Sequence, residues 1–292
     1  MGQTLVVGTI SGGIYGLMAV GLVLVFKGTR VLNFAQVEVG TLALYAAWEV
    51  TTQHGAPWIV GAAAAMVLAL AIGLLFERLI VRPMGDAPRM TVAVATIGLL
   101  SLMLAFESVY FGPSPRILRP PIAGLGTKIL GVYVSPTQWL SLGLVIVVGV
   151  GLAAFLRRTD FGLGVLAAAD DPTAVRLVGV RLSRVSAFVW GTSAVLSAIA
   201  ALLIEPTIGV IAPGALAGLF ASGLAAALVG GLTSLSGAFV GGLVVGLAES
   251  LVGHYVVSSS VPGIPALVVF ATIVAVLLAR PGGLLGGRVA TA

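Results

Sequence analysis

The sequence contains no cysteine, only two histidines, and a mere 9% of Asp, Glu, Lys and Arg. Without cysteine there are no disulfides, no thiolate metal sites and no cysteine nucleophile. The two histidines, His54 and His254, stand alone in loops, and neither an H-E-x-x-H motif nor any pair at ligand spacing occurs. There is no G-x-x-x-x-G-K-[ST], so the chain does not bind a nucleotide through a P-loop. A G-x-S-x-G nucleophile elbow is absent, as are a run of spaced arginines and a TVGYG filter. The last two absences weigh against a voltage-gated or potassium channel. The start, MGQTLVV, lacks a basic region ahead of its apolar run, so the first run reads as a retained span rather than a cleaved signal.

What the chain does have is hydrocarbon. Hydrophobic residues make up 59% of it, and the mean hydropathy is +1.16. Apolar runs of about 20 residues, broken by short polar stretches, predict a polytopic helical membrane protein. The runs are continuous rather than alternating, which excludes a β-barrel. They cover residues 5–26, 31–48, 58–76, 90–111, 137–156, 187–204, 209–229, 237–252 and 264–279. The run at 209–229 is studded with glycine and carries Pro213, so it reads as a broken or two-part helix. The expected fold is all-α, a bundle of about eight or nine transmembrane helices in a single domain spanning 1–292. Forty glycines fall largely inside the apolar runs, where small residues let helices approach. Gly237, Gly241, Gly242 and Gly246 form a small-xxx-small series of this kind. The net charge of +5 does not point to nucleic acid. It is what basic cytoplasmic loops produce. With the loops at 77–89 and 157–186 inside, the loops at 51–57 and 254–262 carry no Lys or Arg and fall outside, and Arg288 lies inside with the C-terminus.

One polar island organises the chain. Residues 157–184 hold five of the fifteen basic residues and three of the ten acids. Charges at this density must sit in water. Asp170, Asp171 and Pro172 read as a helix start, and Gly179 as its stop. The result is a short cytoplasmic helix between spans, with Val175, Leu177 and Val178 available for docking. It is either an ordinary loop helix or a docking helix for a partner that drives the membrane part.

Polar residues inside apolar runs are the other candidates. Asn33, Gln36 and Glu38 cluster near the start of the second run. Glu38 is either a structural group, pairing with Lys27 or Arg30 or bonding a neighbouring helix, or a pathway or gate residue. Glu249 lies within a span with no basic partner nearby in sequence and is expected to face the bundle or a cavity. Glu49, Glu107 and Glu205 fall at span ends, close to water, and rank below these.

Three segments carry a family resemblance. KGTRVLNFAQVEVGTLALY at 27–45 resembles the N-terminal signature of branched-chain amino acid ABC importer permeases of the Liv type. AAADDPTAVRLVGVRLSRV at 167–185 is similar to their cytoplasmic coupling segment, and ALVGGLTSLSGAFVGGLVVGLAESL at 227–251 to their glycine-rich C-terminal signature. Val37 departs from the pattern, which has glycine there. The resemblance implies a multi-pass permease of the bacterial inner membrane and not an enzyme. It implies a second permease subunit, a related but different chain, together with two cytoplasmic ATPases and an extracytoplasmic binding protein. No cofactor is expected in this chain; ATP and Mg would sit on the ATPases. Asp170, Asp171, Arg176, Leu177 and Gly179 would then shape the coupling helix, while Asn33, Gln36, Glu38 and Glu249 remain candidate pathway or gate residues. Leu, Ile or Val is the expected solute, with urea, a short amide or another small solute as the alternative. An ion-coupled secondary transporter is a further reading.

Overall fold

The computed structural model describes the chain except residues 86, 123, 125, 130–131, 178, 257–263, 281 and 286–292. Val178, Arg288 and most of the expected outer loop at 254–262 therefore lie outside the described residues. The helices follow the apolar runs in order: α1 (Gly2–Thr29), α2 (Gln36–Trp48), α3 (Trp58–Phe76), α4 (Arg89–Tyr110), α5 (Pro136–Arg158), α6 (Asp160–Asp170), α7 (Pro172–Leu177), α8 (Leu182–Ile208), α9 (Ala217–Gly230), α10 (Leu235–Val256) and α11 (Ile264–Ala279). Six of them are long and apolar enough to cross a membrane, while α9 and α11 are shorter apolar helices. The protein is an all-α polytopic membrane protein. A small antiparallel hairpin, β1 (Thr127–Ile129) with β2 (Val132–Val134), sits in the loop before α5, Lys128 opposite Tyr133.

The chain forms two compact units. The first comprises 1–23, 120–149 and 218–292. Its core is built on glycine. A Cβ on Gly242 or Gly246 would run into the backbone of α1 at Gly16, Gly12 and Gly8, and one on Gly237 or Gly241 into that of α9 at Gly230 and Ala226. The four glycines of α10 thus serve two neighbours, in pairs on two faces. Between helices in lipid there is no hydrophobic driving force, so close backbone approach and dispersion carry the association.

The second unit comprises 24–119 and 150–217. Here α2 is buried at every position except Ala46. Gly73 of α3 faces the backbone of Trp190 on α8, and Gly40 of α2 faces Ser197. Trp190 also lies against Phe76, ring centres 5.3 Å apart.

The second apolar run differs from expectation. Helix does not begin at Val31 but at Gln36. Arg30 ends α1 in the left-handed region at φ 58°, a conformation non-glycine residues seldom adopt. Asn33 then folds back so that its Oδ1 accepts from the Ala35 N–H at 3.1 Å, a turn that competes with helix. The freed backbone is satisfied from α4: the Thr96 hydroxyl accepts from Phe34 N–H at 3.3 Å and meets Leu32 O at 3.4 Å. The broken reading of 209–229 agrees with the structure. Residues 209–216 are non-helical, with Gly209 and Gly214 at φ 77° and 74°, and the half-length α9 follows.

Candidate functional site

The polar island folds as two helices, not one. Thr159 caps α6 by accepting from Gly162 N–H at 3.0 Å. Asp170 is therefore the last residue of α6 and not part of the next helix start. Its carboxylate lies 3.8 Å from Lys27 Nζ, and Arg30 donates to Ala169 O at 2.9 Å. The cap of α7 is Asp171, whose Oδ1 accepts from Thr173 and Ala174 N–H at 2.8 and 3.0 Å. Gly179 stops the segment at φ 86°. Within α7, Val175 is buried and anchors it, whereas Leu177 is 86% exposed. Arg176 is exposed as well. The expected docking group thus divides, with Val175 turned inward and Leu177 outward.

The candidate pathway residues do not form one group. Asn33 makes the turn before α2. Gln36 is buried against α8, where Ser193 Oγ donates to its Oε1 at 2.8 Å and Ser197 Oγ to its main-chain oxygen. Glu38, 1% exposed, does not pair with Lys27 or Arg30, because those two reach the end of α6 instead. Its carboxylate takes the Thr41 hydroxyl and the Gly214 N–H, and meets the carboxyl group of Glu107 at hydrogen-bonding range. Glu249 belongs to the first unit. The Tyr15 hydroxyl donates to it, and Ser222 lies within bonding reach of Tyr15, so it faces the bundle as expected.

Sequence position misplaces two acids. Glu107 and Glu205 were expected near water, yet both are buried. The cause is a fold-back of chain over their helix ends. Arg116 and Ile211 exchange backbone hydrogen bonds at 2.8 Å each way, joining the loop after α4 to the non-helical stretch after α8. Glu205 Oε1 accepts from Leu118 N–H in that loop at 3.4 Å. Arg116 itself donates to Phe111 O at 3.1 Å and lies 4.9 Å from the Trp48 ring centre. Tyr45 stacks on Phe111 with ring centres 4.0 Å apart. Tyr45, Glu107, Glu205 and Arg116 are the residues that sequence reasoning did not select.

The cluster is short of partners. Apart from the contact between the two acids, the buried side-chain atoms lacking a hydrogen-bond partner among the described residues include Glu38 Oε2, both carboxyl oxygens of Glu107, Tyr45 Oη and Arg116 Nε. The remaining two are Trp190 Nε1 and Glu249 Oε2. Buried polar atoms are ordinarily satisfied, so a concentration of open ones in one place requires an explanation.

Comparison with known proteins bears on the whole chain. A family profile described as branched-chain amino acid transport system / permease component matches residues 4–277. The high-affinity branched-chain amino acid transport system permease protein BraD of Pseudomonas aeruginosa is 31% identical, over 97% of this chain and 95% of its own length. The corresponding permease protein LivH of Escherichia coli is 28% identical over 96% of this chain and 93% of its own. A probable LivH of Methanocaldococcus jannaschii is 27% identical over 92% and 88%. Profile and relatives agree along nearly the whole sequence: the chain belongs to the branched-chain amino acid transport system permease family.

Proposed function

We propose that this multi-pass protein of the cell membrane is a permease subunit of an ABC importer and forms the translocation pathway for leucine, isoleucine and valine. The observation that carries this is the end-to-end similarity to permeases named for that transport. In this reading a second, related permease completes the pathway. Two cytoplasmic ATPases carry ATP and Mg, and an extracytoplasmic binding protein delivers the solute. Asp170, Asp171, Arg176, Leu177 and Gly179 form the ATPase contact. Asn33 and Gln36 hold α2, and Glu38 and Glu249 serve the pathway.

The geometry supports a route for coupling within the second unit. Val175 seats α7, and the end of the preceding α6 is tied to α1 through Asp170–Lys27 and Ala169–Arg30. Arg30 leads directly into the turn that starts α2 and so to Glu38. Displacement of α7 by closing ATPases would reach α2 through these contacts as a rigid-body shift of packed elements. The test is isolation of the chain from its native membrane, with its companions identified, followed by solute uptake in proteoliposomes. ATPases and a second permease are expected to co-purify, and leucine uptake to require them and ATP. A chain that purifies alone and accumulates solute without ATP would refute the importer.

A further inference from the structure

We propose that Glu38 and Glu107 bind the ammonium group of the transported amino acid, in a site that α2 and α4 build with Tyr45 and Arg116; this rests on the importer reading above. Two carboxyl groups brought together away from water repel each other unless a positive charge or a shared proton lies between them. No basic side chain pairs with either acid in an ion pair among the described residues. Donors are present on one side only: Thr41 and the Gly214 N–H reach the Glu38 carboxyl group, whereas Glu38 Oε2 and both oxygens of Glu107 have no donor beyond a proton that the two acids share with each other.

Tyr45 supplies an independent observation. It is fully buried, its hydroxyl has no partner, and it lies within electrostatic reach of Glu38, Glu107 and Arg116 together. Arg116 Nε is buried and open too. A pair of acids with only each other to bond on one side, beside a hydroxyl and a guanidinium N–H that have no partner, is the complement of a zwitterion. An ammonium offers three donors to the acids, and a carboxylate accepts from the guanidinium and the hydroxyl. The stacked rings of Tyr45 and Phe111 and the face of Trp48 supply an apolar surround. A purely structural acid pair would share one proton and would leave Tyr45 Oη and Arg116 Nε unexplained.

The amide substitutions E107Q and E38Q separate these roles. A glutamine keeps the volume and can donate to the remaining carboxylate, as a protonated acid would, but removes the charge an ammonium needs. The measurement is binding of radiolabelled L-leucine to the complete detergent-solubilised permease–ATPase complex, without the binding protein. Each variant is compared as an assembled complex by gel filtration. Saturable binding to the wild type is expected, with each substitution weakening it at least about 10-fold. The ammonium-free analogue 4-methylpentanoate is expected not to compete. Absent wild-type binding, binding unchanged in both variants, or competition by 4-methylpentanoate would overturn the site. Wild-type uptake with the binding protein, run in parallel, keeps the two ideas apart. Uptake of leucine without this binding pattern removes the site and leaves the importer; no uptake of any branched-chain amino acid removes both.

Discussion

Replacing Gly242 with alanine tests the packing argument for the first unit with one methyl group. A Cβ there would stand 2.5 Å from Gly16 Cα and 2.6 Å from Gly12 O, both main-chain atoms of α1. Non-bonded contacts are comfortable at about 3.5 Å and beyond, so α1 and α10 would have to part by roughly 1 Å. No flexible side chain can yield in their place. Overpacking of this kind costs about 1–3 kcal/mol. Gly253 on the same helix provides the control, since nothing in the chain lies within 4 Å of its would-be Cβ. There alanine relieves the entropic cost of a helical glycine, a gain of about 0.5–1 kcal/mol. Unfolding of the purified protein in mixed micelles, titrated with SDS and followed by circular dichroism, should shift the midpoint down for Gly242→Ala and up or not at all for Gly253→Ala. Equal midpoints for the two variants, or the reverse order, would refute a helix contact limited by backbone approach.

Three further outcomes follow from single contacts. Asp171→Ala removes the cap of α7, worth about 1 kcal/mol to the helix, and should lower ATP-driven uptake, whereas Asp171→Asn, which keeps a capping oxygen, should restore it. Arg82→Ala strips the ion pair, 3.0 Å long, from the buried Glu77; SDS resistance should fall, and adding Glu77→Gln should recover most of the loss because the stranded charge is what destabilises. Thr96→Val removes the hydroxyl to which the Phe34 N–H donates, and a loss of about 1 kcal/mol should appear in the same unfolding titration.

The helix order was legible because run length against bilayer thickness is a strong signal, and the island declared itself by charge density. Depth was not legible. Hydropathy finds where an apolar run stops, and Glu107 stands close to such a stop; whether water reaches it depends on the later chain. The Arg116–Ile211 pairing joins residues 95 positions apart in sequence, as their numbers give, and no local pattern reports it. The fate of Lys27 and Arg30 was hidden for the same reason, since their partners at 169 and 170 belong to a helix read as a loop. That helix, α6, left one readable trace in Thr159 followed by Asp160, a capping residue and an acid in the first turn. Two glycines and two acids in an eleven-residue segment too short to span masked it. Asn33 was singled out for its polarity, and its polarity turned out to matter for the backbone: the side chain sets where α2 begins.

The stretch between Gly209 and Gly214 is bounded at each end by a residue with positive φ, and its middle is pinned at Ile211 by two main-chain bonds to Arg116. Mechanically this is a short bar hung between two swivels with a latch at its centre. The latch is more than its two hydrogen bonds, since Ile211 is itself 1% exposed, while the glycines at the two ends tolerate backbone angles closed to other residues; the Gly214 N–H at one end is the group that reaches Glu38. Between the rods α8 and α9 the chain thus carries a joint whose two ends are glycines and whose rest position is set by a third residue.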